Sequence, residues 1–565
     1  MSLAPDLRKI SESLRDHRPQ PRPGVLTDEQ IDTLASLVGE ENVSADPIEL
    51  SRLARTTLPE GTTPAGILWA SCREQVQAVV GWAAAHDFPI YPISTGKNWG
   101  YGDLCAPVAG CLVLDLSRMN RILQVDVQLA YAVVEPGVTQ GQLAEHLAEQ
   151  NLPLMVDATG AGPDASLIGN TLERGFGHTA YGDRFAHVAC LEAVLPDGSL
   201  LTTGFGAYAN AKARHVYKWG LGPSLDGLLT QSNFAIVTRM TVWLMPRPPR
   251  LLAYFITLCD RSAIGPLVER LRPLRLAGTL RSTSHCFNDR RLLTGAARFP
   301  YDRVDGRQAL EVADPEWLER VCRERRIPAW GVSGSITGTP TEVRAARRTL
   351  RRALAGMRGL ERLFFVDERK LARLERLARV AARLRPLAPL ASLVRNVRLG
   401  FQLLDGRPVY ESLKGSHWRA RHDPGPTQDP LASQCGLVWV SPVLPMTGEA
   451  VEELERIAEP ILHRFGFEFQ VSMAFLNERS ICAILPISFD RASADETARA
   501  RDCHERLLQI LLDHGYVPYR GSVAAQKKMR EAAPVYWQAV ARLKKAWDPA
   551  DILAPGRYLQ PLRDR

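Results

Sequence analysis

The stretch PISTGKNWGYGD, Pro92 to Asp103, constrains the fold of this protein more than any other. Gly96, Gly100 and Gly102 can adopt φ > 0 and let another group approach the backbone closely. Successive exposed N–H groups in such a turn form a concavity that holds phosphate oxygens. The competing reading is a tight surface loop, and the flanking sequence has to decide. Upstream, SCREQVQAVVGWAAAHDF (Ser71 to Phe88) spaces Val76, Val79, Val80 and Ala83 as one helix face, with Ser71 as its cap. A short strand, PIYPIS, then leads into the loop. No long helix starts at the last glycine, which argues against a Rossmann turn, where a helix N-terminus receives the pyrophosphate. A Walker-type loop is excluded, because Lys97 is followed by Asn98 and not by a magnesium-binding Ser or Thr.

A length of 565 residues predicts two or more domains. The formal net charge of +8 invites a nucleic-acid reading. The arginines, however, spread along segments such as RAARRTLRRALAGMRGLERL (Arg344 to Leu363), the pattern of a solvated helix face. Anionic substrates stay open. No apolar run reaches membrane-spanning length. The first residues, MSLAPDLRKISESLRDHRPQPRPG, carry charges where a secretory signal needs an apolar stretch. Ten scattered cysteines without CxxC predict reduced thiols and a cytoplasmic protein. HExxH is absent and His417 with His422 is the one close histidine pair, so no metal site is expected.

TDEQIDTLASLVG reads as a helix capped by Thr27. CLVLDL and YAVVEPG read as strands, TQGQLAEHLAEQN as a helix, and VACLEAVLPDGSLLTTG as a hairpin turning at Pro-Asp-Gly. FAIVTRMTVWLM is a long strand or a strand pair, and PRPP, Pro246 to Pro249, marks a domain boundary. Helices are expected to dominate from there to about Leu399. Strand-like GLVWVSPVLP and ICAILPISFD then alternate with the helix EAVEELERIAEPILHRFG, an α+β pattern. PVYWQAVARLKKAWDPADILAPGRYL reads as a helix followed by a structured end.

PISTGKNWGYG, EPGVT, GNTLERGFGHTAYGD, KWGLGPSLDGLLTQSNFAIVT, WLMPRPP, PYR and DPADILAPGR occur in an order that resembles the vanillyl-alcohol oxidase and 4-cresol dehydrogenase family of flavoproteins. The resemblance spans about Leu68 to the C-terminus and is weakest between Leu251 and Ala432. It implies an α+β, two-domain FAD-binding fold of the p-cresol methylhydroxylase type. Residues 1–250 and 516–565 would form the FAD-binding domain, and 251–515 an inserted α+β cap. It further implies extended FAD with its pyrophosphate on the opening loop, at Pro92, Ile93, Ser94, Thr95, Gly96, Lys97 and Asn98. Tyr101, Gly169, Asn170, Glu173, Arg174, Gly175, Gly177, His178, Gly182, Ile236, Val237 and Arg557 would complete the cofactor contacts.

The implied substrate is a para-substituted phenol. Tyr101, Tyr519 and Arg520 match the family positions that hold the phenol oxygen as phenolate while hydride leaves the benzylic carbon. A phenol of pKa near 10 is a poor hydride donor, whereas the phenolate pushes electrons toward a quinone methide. Three features, at four positions, depart from the family. Leu437 stands where a histidine tethers FAD, and the tethering tyrosine falls near Ser416, beside His417, so FAD is expected to be held non-covalently. A flavin-side aspartate falls near Ala161, with Asp157 and Asp164 close in sequence. A tyrosine is replaced by His178, which joins the catalytic candidates and leaves the base unsettled. The resemblance implies oxygen or a c-type cytochrome as electron acceptor, and a homodimer. Two other readings stay open: the same fold acting on a non-phenolic alcohol or hydroxy acid, and a basic nucleic-acid-binding protein.

Overall fold

The protein's structure, a computed structural model, describes residues 25–381 and 388–562. The segment Met1 to Gly24, read above for a leader, lies outside them. Among the described residues no helix is long and apolar enough to cross a membrane.

The strands Gly66–Trp69, Leu112–Asp115 and Ile90–Ile93 pair in parallel, in that order, with the two-residue strand Val43–Ser44 on the outer edge. Parallel strands need both faces covered. The helix Arg73–His86 supplies one cover, burying Val76, Val79, Val80 and Ala83 in the same core as Leu68, Ile90, Leu112 and Leu114. Its N-cap is Cys72 and not Ser71, because the Ser71 hydroxyl engages the Gln75 side chain. Thr27 caps the helix Asp28–Val38 through a reciprocal pair with Gln30.

A second sheet is antiparallel, in the order Ile122–Asp126, Tyr131–Val134, Ile236–Trp243, Val188–Val194, Leu200–Thr202. FAIVTRMTVWLM thus contributes one long strand, and the Pro-Asp-Gly hairpin forms as read. The end of the sequence returns to the first sheet. Leu553 bridges Ile90 in parallel, and Ala554 N donates to Ile90 O at 2.7 Å.

The expectation of helices up to Leu399 needs correction. Four strands lie in that region, Arg250–Leu258, Ser284–Asn288, Trp330–Gly338 and Leu360–Val366. They join Ser472–Phe475, Ser480–Asp490, Cys435–Val440 and Val443–Pro445 in one eight-stranded antiparallel sheet. The strand WGVSGSITG hides its period behind three glycines and two serines. Those glycines serve the packing, since a Cβ at Gly334 would collide with the Tyr254 hydroxyl. The arginine-rich helix ends at Leu354, and LERLFFV beyond it is an edge strand.

Candidate active site

The loop after the strand Ile90–Ile93 leaves the sheet at its carboxyl edge, where ligands of open α/β sheets bind. Gly96 takes φ +66°, and a Cβ there would strike Leu104, so only glycine fits. Among the described residues, no acceptor of the protein takes the N–H groups of Thr95, Gly96, Lys97 or Asn98. Four adjacent free amides are a ready anion cradle. They open into a cleft of about 1120 Å³ of empty space, mouth included, which Ser166, Gly169, Asn170, Glu173, Ile236, Val237, Arg520 and Arg557 also line. A Cβ on Gly169 would stand 2.6 Å from the Ser94 hydroxyl and narrow the cleft. A long, amide-lined cleft with two arginines fits FAD, whose pyrophosphate would sit on the Thr95–Asn98 amides.

Other candidates fall elsewhere. The Lys97 ammonium donates to Asp429 at 2.9 Å, so its charge is shared with a carboxylate. Arg174, Gly175, Gly177, His178 and Gly182 do not line this cleft. Arg174 donates to the Thr230 hydroxyl, and Cβ atoms on the three glycines would meet Asn170, Asp157 and Thr283 respectively. These glycines admit polar side chains of the protein itself.

Glu173 binds the two ends of the cleft together. Arg520 Nε donates to it at 3.0 Å, Arg557 at 2.8 Å, and the Tyr558 hydroxyl donates as well. Burial pushes this carboxyl up, but Arg557 and Arg520 outweigh burial and hold it down to about 2. Arg520 also donates to Asn98 through Nη2, and among the described residues none accepts from its Nη1. Its guanidinium carbon lies 4.2 Å from the Tyr101 ring centroid. The Tyr101 hydroxyl meets Ser441 Oγ at 2.8 Å, and the Tyr519 phenol is near enough to act on it electrostatically. Burial raises both phenols, so both stay protonated donors beside a fixed cation. Tyr101, Tyr519 and Arg520 thus come together, an arrangement able to stabilise an anionic oxygen. Ser441 was missed by the sequence reading. It stands one residue past the strand Cys435–Val440 and continues the alternation of Leu437 and Trp439, the signal that finds it.

The Tyr519 ring packs 5.5 Å from Phe176, and Phe176 packs 6.3 Å from His285, which stacks on His178 at 3.8 Å. His178 Nδ1 donates to the Ala158 carbonyl at 3.0 Å, so Nε2 carries the lone pair. Burial lowers the pKa of both histidines and keeps them neutral. Asp157 is occupied by Arg184 and Thr179, and Asp164 accepts from Tyr410 at 2.8 Å. Leu437 is fully buried against Trp99 and Leu413. His417 is also buried, with Nε2 donating to the Gln428 carbonyl and Nδ1 accepting from Ser433.

Fold and cleft define the class: a two-domain α+β protein that binds FAD. A family model described as an FAD binding domain matches residues 64–204. The protein is 36% identical over 526 residues to the 1'-carboxy-chondrochloren decarboxylase of Chondromyces crocatus, covering 92% of its own length and 95% of that relative. It is 29% identical to the flavoprotein subunit of 4-cresol dehydrogenase [hydroxylating] of Pseudomonas putida, covering 92% and 93%. The crystal structure of p-cresol methylhydroxylase with substrate bound superposes with a TM-score of 0.83 at 28% identity, covering 96% of this protein and 99% of that one. The protein belongs to the p-cresol methylhydroxylase-type family of FAD-dependent oxidoreductases.

Proposed function

We propose that the protein oxidises the benzylic carbon of a para-substituted phenol, a 4-alkylphenol or 4-(hydroxyalkyl)phenol, by way of a quinone methide. The observation that carries this reading is the Arg520 guanidinium packed 4.2 Å from the Tyr101 ring centroid, with the Tyr519 phenol beside both as an electrostatic neighbour. Two neutral donors and one cation stabilise a phenolate oxygen without themselves giving up charge. FAD supplies the two-electron acceptor for the departing hydride. His178 Nε2 offers the base for any proton released beside the ring. Residues 1–250 and 516–565 would form the FAD-binding domain and 251–515 the cap, a division supported by the return of Leu553 and Ala554 to Ile90. Non-covalent FAD is supported by Leu437 at one tethering position and by the fully bonded ring of His417 near the other. Oxygen or a c-type cytochrome takes the electrons onward.

A second reading keeps the phenol and adds loss of CO2. It is favoured by the 36% identity to a protein named as a decarboxylase, and it needs a cation for the carboxylate.

Flavin reduction by a 4-alkylphenol, followed by absorbance against the O-methyl ether of the same phenol, tests the first reading. The ether is expected to be inert, and equal rates would sink the clamp. Tyr101→Phe and Tyr519→Phe should each slow reduction by about 10²–10³ while leaving FAD content near normal.

A further inference from the structure

Among the fully buried arginines, Arg184, Arg419, Arg520 and Arg557 each meet a carboxylate, and Arg275 donates to the carbonyls of Ser282, Leu476 and Asn477. The partly buried Arg291 meets no carboxylate among the described residues, and its guanidinium makes only a long contact, 3.5 Å, with the Thr294 hydroxyl. Burial alone depresses it to about 10, with nothing opposing. The backbone is fixed by Asn288, whose side chain accepts from Arg291 N at the start of the helix Asp289–Thr294. Room for the head group is left by Gly415, where a Cβ would stand 2.5 Å from Arg291 Nη1.

The guanidinium carbon lies 5.9 Å from the centroid of Trp439. That ring packs against Gly100, and its indole N–H donates to the Trp99 carbonyl at 2.8 Å. Two residues further on, just past the end of the strand Cys435–Val440, Ser441 binds the Tyr101 hydroxyl. One wall therefore carries an oxyanion-stabilising cluster at one end and an uncompensated cation at the other. A carboxylate placed there would supply the counter-charge that no described residue gives it.

We propose that Arg291 receives a carboxylate on the para substituent, so that the substrates are 4-hydroxyphenyl-substituted carboxylic acids. This rests on the phenol reading of the site and deepens its decarboxylating form. Hydride loss from the benzylic carbon of the phenolate leaves a quinone methide that still carries the carboxylate on the adjacent carbon. The bond to the carboxylate then breaks, and its electron pair forms the vinyl double bond while the ring returns to phenolate. CO2 leaves, and FAD is the two-electron oxidant. From 3-(4-hydroxyphenyl)propanoate the product is 4-vinylphenol.

The test titrates the holoprotein with 3-(4-hydroxyphenyl)propanoate and with 4-propylphenol, reading the flavin spectrum, then analyses products of a single turnover. Arg291→Gln should weaken the acid by about ten- to a hundredfold, the range of a charge-assisted hydrogen bond. It should leave 4-propylphenol within about twofold, which also certifies the fold. Arg291→Lys should recover part of the loss. Equal weakening of both ligands, or none for the acid, overturns the assignment of Arg291. Arg291-dependent binding without 4-vinylphenol overturns the CO2 step. Reduction by 3-(4-methoxyphenyl)propanoate as fast as by the phenol instead removes the phenolate reading, and the Arg291 titration is unaffected by that result.

Discussion

Glu173 is one carboxylate serving two guanidiniums, and its removal leaves both of them buried beside no counter-charge. Breaking a buried pair on one side typically costs about 3–5 kcal/mol. Glu173→Gln, nearly the same size, should lower stability by that order at pH 7 and slow flavin reduction, because Arg520 loses the contact that aims it. The pH dependence has a definite sign. A carboxyl held at about 2 in the fold and near 4.5 when unfolded stabilises fully above 4.5 and loses that contribution as pH falls toward 2. The gap between wild type and Glu173→Gln in denaturant midpoint should stay constant from pH 7 to about 4.5 and narrow below it. A gap independent of pH throughout that range would deny the carboxylate its role. Residues of this kind were legible in sequence as types and not as partnerships. The motif GNTLERG marked Glu173 as polar among glycines, but its link to Arg520, 347 positions away, exists only after folding.

Among elements, those with strong punctuation were read well. The capped helix Asp28–Val38 and the Pro-Asp-Gly hairpin carry their own boundary signals. Short strands set between long helices were not, as Trp330–Gly338 and Ser284–Asn288 show, because nine or five residues hold too little period to outweigh their neighbours. The 3₁₀ stretch Tyr410–His417 had no sequence signal either, yet it sets Gly415 against Arg291 and seals His417 inside. Burial lowers His417 to about 4, below its ordinary value of about 6.5. The neutral ring therefore stabilises the fold above about pH 6.5, and that contribution, of order 3 kcal/mol, is lost as pH falls toward 4. His417→Gln should flatten the fall of the urea midpoint between pH 6.5 and 4 by one proton's worth. An unchanged slope would place the acid sensitivity on another group.

At the scale of the molecule, Lys544 is the fastener. Fully buried, it donates to Asp548 at 2.6 Å and to the carbonyls of Asn233 and Leu553. Asp548 in turn accepts from the N–H groups of Ile552 and Leu553. Lys544→Met should strand that carboxylate at a cost of about 3–5 kcal/mol. It should also loosen Leu553 and Arg557 together, so the purified protein should carry less flavin per polypeptide as well as melting earlier. A variant that melts earlier with full flavin content would separate the fastener from the cleft.

The pairing of Ile90 with Leu553 also bears on how the protein is made. Domains of a nascent polypeptide fold from the N-terminal side as they leave the ribosome, at about 5–20 residues per second. Here the strand beneath the Thr95–Asn98 amides waits for a neighbour more than four hundred residues downstream, and Arg557 arrives later still. The early segment must stay unfinished, its parallel edge open, while the entire middle sheet is synthesised. Cofactor loading should therefore wait until Leu553 and Arg557 have been made, and a translation product truncated before them should lack flavin.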